Sequence, residues 1–184
     1  MVTKTVDMVN GIEVEKLAEV IQSIRAEPAL GPFRFRVRNR WLERGHNRSE
    51  IQEFYGAGQD HTREAPFVAE NDEPKLMLGD DTAPNPVENL LHALAGCLTS
   101  ALVYHAAARN IAIESLESEI EGELDIRGFL GLSTDVPRGY QKIRVTFHVK
   151  SDAPPEKLAE LAKYSPVYNT IISPTPVEVT VEKV

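Results

Sequence analysis

The sequence predicts an α+β fold in which antiparallel sheets surround one long central helix. Three observations carry this. Residues 86–109 form one apolar stretch with helical character. The segments on either side alternate apolar and polar residues, the two-residue period of half-buried strands. Strands and helices do not alternate regularly, and no glycine-rich phosphate loop follows a strand, which disfavours a doubly wound nucleotide-binding fold.

Taken in order, residues 13–25 put Val14, Leu17, Val20, Ile21 and Ile24 on one helical face, with Asn10 in the cap region and Pro28 beyond the end. This helix reads as an N-terminal extension over residues 1–30, ahead of a main domain over 31–184. "FRFRVR" at 33–38 alternates strictly, so one strand face carries Phe33, Phe35 and Val37 and the other Arg34, Arg36 and Arg38. "ERGHN" reads as a turn and "SEIQEFYG" as the returning strand. Residues 57–66 read as a loop, "FVAE" and "KLMLG" as short strands, and "GDDTAPN" as a second loop. After the long helix, residues 112–126 read as a strand bulged at Gly122. A hairpin loop leads to the strand 141–149, with Ile143, Val145, Phe147 and Val149 inward. Residues 156–164 read as a helix ended by Ser165-Pro166, and a final strand starts at 176. No internal repeat or low-complexity segment is present.

Composition narrows the function. A chain of 184 residues with 42% hydrophobic and 26% charged content can bury a core as one main domain. A formal net charge of −8 argues against nucleic-acid or anionic-membrane partners, which reward basic patches. One cysteine excludes an internal disulfide, and the N-terminus lacks a signal-like apolar segment, so a reducing cytoplasm is the expected compartment. Residues 89–108 approach the length of a membrane span, about 20 apolar residues. His92, Thr99, Ser100 and His105, with much alanine and glycine around them, point instead to a helix buried by sheet or by a partner chain.

The long helix carries the chemistry. Asn85-Pro86-Val87-Glu88 has the form of a capping box, with Asn85 accepting from first-turn amides and Glu88 reaching back. Cys97 shares its face with Leu90, Ala93, Leu94, Ser100, Ala101 and Tyr104. On this evidence it is either a small buried hydrophobe or a reactive thiol, which needs a nearby cation. The helix N-terminus is too distant to help, so a cation must come from elsewhere, and the arginines of 34–48 are candidates. Glu88 and Cys97 lie about 180° apart and about 13–14 Å along one straight helix, so they form no local pair. His46, His61, His92, His105 and His148 show no metal-ligand spacing, and no metal or other cofactor is expected. A Cys–His hydrolytic pair would require tertiary contact, with no acidic or amide third partner evident.

"PNPVENLLHALAGCLTSAL", then a strand pair, "YSPVYNTI" and "PTPVEVTVE", together resemble the OsmC/Ohr superfamily over about residues 33–184. The resemblance implies an intertwined α+β homodimer with sheets wrapped around two long central helices and active sites at the subunit interface. It implies thiol-dependent peroxidase chemistry, in which one cysteine attacks the peroxide and a second resolves the sulfenic acid. Cys97 matches the peroxidatic cysteine, Glu88 the glutamate nine residues before it, and Ser165 the resolving cysteine. Arg44 is the first choice for the activating arginine, with Arg40 and Arg48 next. Since serine cannot close a disulfide, the implied activity is a one-cysteine peroxidase for a small organic hydroperoxide, recycled by an external thiol. The alternative is a non-catalytic relative that binds a small apolar ligand or serves as a dimeric scaffold.

Overall fold

The structure, a computed structural model, describes residues 7–173 and 175–183. The first six residues of the expected extension and the last of the expected final strand lie outside them. The chain packs into two compact units, Met1–Met8 with Glu13–Leu90, and Val9–Ile12 with Leu91–Val184.

Asn10-Gly11 is not a helix cap. Its positive φ angles, 54° and 77°, make a tight turn between strands β1 (Met8–Val9) and β2 (Ile12–Glu13). An Asn-Gly pair is a strong hairpin signal. Glu13 then precedes helix α1 (Val14–Ala26), whose expected apolar face is left open, with Val20, Ile21 and Ile24 all exposed.

In the first unit, "FRFRVR" splits into β3 (Arg34–Phe35) and the start of β4 (Arg38–Glu43). Both pair antiparallel with β5 (His46–Gly56), and the register slips between them, because Phe35 faces Phe54 while Arg38 faces Glu50. The expected loop 57–66 is instead a tight Ala57-Gly58 turn with φ 48° and 80°, opening the long strand β6 (Gln59–Asn71). Its polar run Gln59 to Thr62 is held by pairing with β5 rather than by burial. The "KLMLG" segment is no strand. It forms a single 3-10 turn at Lys75–Met77 that ends at Leu78 in the left-handed region, φ 66°.

The long helix α2 runs Pro86–Ala107. In the second unit its leucines at four-residue spacing, Leu94, Leu98 and Leu102, are buried against β7 (Ser115–Glu123) and β8 (Lys142–Lys150). Each such leucine contributes about 1.5–3 kcal/mol. By length and composition α2 could cross a membrane, yet this stripe is the centre of a core that also takes Leu158 and Ala162 from α4 (Pro155–Ala162). β7 and β8 pair in unbroken register, with Gly122 facing Ile143, so the expected bulge at Gly122 is absent. The Tyr140 ring lies over Gly122, and a Cβ there would come within 2.4 Å of it, so any larger residue would have to displace the ring.

The loop between β7 and β8 contains one short helix, α3 (Ile126–Phe129), capped by the Asp125 carboxylate. Asn10 fastens the hairpin turn to this unit, donating from Nδ2 to the Ile111 carbonyl (2.9 Å) and accepting from the Ile113 amide (2.8 Å). Ser165-Pro166 does end α4, but it also begins another helix, α5 (Pro166–Ile172). Proline suits a first helical position, which the reading of a simple stop missed. Residues 175–183 form no strand, and Val177, Val179 and Val181 are more than 80% exposed. A strand needs a neighbour for its backbone groups, and this segment pairs with no strand among the described residues.

Candidate functional site

The capping box forms as expected. The Glu88 amide donates to Asn85 Oδ1 and the Asn85 amide donates to Glu88 Oε2, both at 2.8 Å. The Glu88 carboxylate is thus engaged by its own helix, and among the described residues it makes no ion pair.

Asparagines tie this helix start to the sheet. Asn89 Nδ2 donates to Asn71 Oδ1 (2.8 Å), Asn71 Nδ2 to Asn47 Oδ1 (3.2 Å), and Asn39 Nδ2 to the same Asn47 oxygen (2.8 Å). The chain of side chains crosses β4, β5 and β6 and ends in the first turn of α2.

Arg44 sits at the tip of the β4–β5 hairpin, in the left-handed region at φ 47°. Trp41 Nε1 donates to its carbonyl (2.9 Å) and fixes the turn. Its guanidinium meets the Asp80 carboxylate at 2.5 Å. Arg40 faces Arg48 across β4 and β5. Arg48 lies 3.8 Å from Glu70, and its Nε is buried without a partner, the one such side-chain atom found among the described residues. The sequence reading overlooked Asp80, Glu70 and Asp72. Only the repeated acids of "GDDT" hinted at the first.

Asp72 builds the loop that carries Asp80. It is 1% exposed, and its carboxylate accepts from the Thr82 amide (3.0 Å), the Thr82 hydroxyl (2.8 Å) and the Glu73 amide (2.8 Å). The Thr82 amide and hydroxyl lead in lowering its pKa to about 2, against a usual 3.8, while desolvation opposes them. A lowered folded-state pKa gives stability that is present above the unfolded value and lost as pH falls through the folded one. Asp72→Asn is therefore expected to lower Tm at pH 7, with the gap to the parent closing between about pH 4 and pH 2. A gap of constant size over an acid series of thermal melts would assign the loss to shape rather than charge.

Cys97 lies in the second unit, one residue before the buried Leu98. It is half-buried, on the flank of the leucine stripe rather than in it. Its face of α2 is open, with Leu90 and Tyr104 exposed and nothing within 4 Å of a Cβ placed at Gly96. Within its unit no hydrogen bond or ion pair reaches the thiol among the described residues. Ser165 is fully buried in the same unit. Its Oγ accepts from the Tyr168 amide (3.1 Å) as the N-cap of α5. An apolar groove of about 260 Å³ runs nearby, with Leu94, Ile143, Val145, Tyr168, Ile171 and Ile172 in its wall. No group of three or more metal-ligating side chains is assembled among the described residues.

The structure therefore brings Arg44 together with Asp80, and Glu88 with Asn85, in the first unit. It places Cys97 and Ser165 in the second.

The family model described as OsmC-like protein matches residues 79–180. Among solved structures, an OsmC-like protein from Mycoplasma pneumoniae is similar at 18% identity, over 77% of this chain and 89% of that one, with a TM-score of 0.57. A Psychrobacter arcticus protein is similar at 13% identity, over 73% and 85%, with a TM-score of 0.54. An OsmC-like protein of unknown function from Vibrio cholerae is similar at 16% identity, over 74% and 92%, with a TM-score of 0.51. No curated protein sequence matches significantly.

Proposed function

The chain belongs to the OsmC-like protein family, and from that premise we propose that it is a one-cysteine redox protein, a peroxidase for small organic hydroperoxides recycled by an external thiol. The observation that carries this reading is the position of Cys97. The motif resemblance matches this residue to the peroxidatic cysteine, and what supports that reading is that it is half-buried on the flank of α2 instead of filling the core.

The chemistry balances without a second cysteine. The Cys97 thiolate attacks one peroxide oxygen, the S–O bond forms and the O–O bond breaks. The alkoxide leaves and takes a proton as alcohol. An external thiol then displaces water from the sulfenic acid to give a mixed disulfide, and a second thiol releases Cys97. Ser165 takes no part. In this reading Arg44 supplies the positive charge that favours the thiolate and the departing alkoxide, and Glu88 holds the helix start that carries the site. The reductant fits a cytoplasmic setting.

The active form in this proposal is a homodimer. Phe33, Phe35, Val37 and Trp41 in the first unit, and Tyr104 and the three valines of 175–183 in the second, are large apolar side chains left exposed, and apolar surface of this kind marks interaction sites where it is contiguous. A second copy covers such surface and offers an edge for the unpaired segment.

The test is alkylation of the wild-type protein by iodoacetamide across pH, with sulfenic-acid trapping after one equivalent of an organic hydroperoxide. Labelling well below the ordinary thiol range, about 8.5, together with a trapped sulfenate is expected. Ordinary labelling with no sulfenate would overturn the reading, and a monomer by light scattering at micromolar concentration would overturn the dimer. The second reading, binding of a small apolar ligand without turnover, is favoured by one observation, the groove beside Leu94 and Tyr168.

A further inference from the structure

Resting on the reading that Arg44 serves the Cys97 thiolate, we propose that Asp80 is the carboxylate that positions Arg44. The obvious counter-charge is Glu88, but its carboxylate is engaged by the Asn85 amide and pairs with no arginine among the described residues. The contact that exists is Arg44 to Asp80, at 2.5 Å.

Both sides of this pair are held by more than the pair itself. On the arginine side, a left-handed residue is pinned through its carbonyl by Trp41 Nε1. On the acid side, the buried Asp72 gathers the amides of Glu73 and Thr82 and the Thr82 hydroxyl onto one carboxylate, which fixes both ends of the loop that carries Asp80. Gly79 leaves no room for a side chain, since a Cβ would sit 1.8 Å from the Glu73 carbonyl oxygen. The Asp81 amide donates to that same oxygen (3.2 Å). Arg44, Leu78 and Asp81 all keep positive φ around the pair. Such conformations persist only where the surroundings over-determine them.

The pair itself is half exposed on both sides, 57% and 53%, and exposed ion pairs add little to stability. A rigid scaffold that ends in a weak surface ion pair is explained by orientation. Asp80 takes one edge of the guanidinium, and the planar fork keeps its remaining donors for an anion.

Asp80→Asn, Asp80→Glu and Arg44→Gln in the full-length protein test this, with the pH dependence of Cys97 alkylation as readout and circular dichroism to confirm folding. Asp80→Asn is expected to move the labelling profile upward by about one pH unit, up to a tenfold loss of rate at pH 7. Arg44→Gln is expected to do the same, the double variant no more, and Asp80→Glu to recover part of the loss. A normal profile in Asp80→Asn beside a shifted one in Arg44→Gln would overturn the proposal and leave the role of Arg44 standing. A shift to lower pH in Asp80→Asn would make Asp80 a competitor for Arg44 and overturn it as well. An unchanged profile in Arg44→Gln would remove the parent reading, and Asp80 with it.

Discussion

Replacing Cys97 with serine is expected to reduce thiol-dependent consumption of an organic hydroperoxide to the uncatalysed background. The chain has one sulfur nucleophile of this kind, and a serine hydroxyl does not ionise near neutral pH, so no residual pathway through the same site remains. The same substitution is expected to leave folding nearly intact. Cys97 is half-buried beside the leucine stripe, and a near-isosteric change outside a packed core costs within about 1 kcal/mol. At this chain length that is about 2–4 °C in Tm. The combination separates the two meanings of a lone cysteine, since a core filler would lose stability and keep function. A coupled assay with excess small thiol measures the first quantity and a thermal melt the second. Turnover that survives in Cys97→Ser would place the chemistry elsewhere and end the peroxidase reading. Absence of turnover in both proteins, with retained binding of an apolar ligand, would favour the groove beside Leu94.

What the sequence made legible was local. The helix start at Asn85 and Glu88 followed from capping chemistry confined to four residues, and the box formed as read. The strand at 141–149 followed from its own alternation. The misreadings came where pairing or covering decided the outcome. Gln59 to Thr62 reads as loop because it is polar, yet it is strand because β5 lies beside it. The apolar positions of "FRFRVR" read as buried, yet Phe33, Phe35 and Val37 are exposed, since alternation separates two faces without saying what covers either. The site divides in the same way. Cys97, Glu88 and Ser165 came from motifs. Asp80 could not, because its partner lies 36 residues away on another element, and only the fold of the 72–82 loop brings the two together.

Ser165→Cys is expected to convert the chain into a two-thiol protein, at a cost in stability. Ser165 is fully buried, and its hydroxyl oxygen caps α5 by accepting from the Tyr168 amide. Sulfur is a poorer acceptor and a larger atom. Loss of the cap costs about 1 kcal/mol, which lowers Tm by about 2–4 °C in a protein of this size. The backbone at this position is independently held, with the Asn169 amide and side chain both donating to the Ser165 carbonyl (3.1 and 2.8 Å), so the helix start survives the substitution. The new thiol would begin sealed, and attack on a Cys97 sulfenic acid requires α5 to open. That helix is short, Pro166–Ile172, and has no fully buried residue, the kind of element that opens well below global unfolding. After one equivalent of organic hydroperoxide the variant is therefore expected to lose both free thiols and end two hydrogens lighter, as an internal disulfide, whereas the parent ends one oxygen heavier, as the sulfenic acid. Recycling would shift from a monothiol to a dithiol reductant. A variant that instead retains a trappable sulfenate beside a free second thiol would show that position 165 does not reach the reacting sulfur, and that its serine serves the cap of α5 alone.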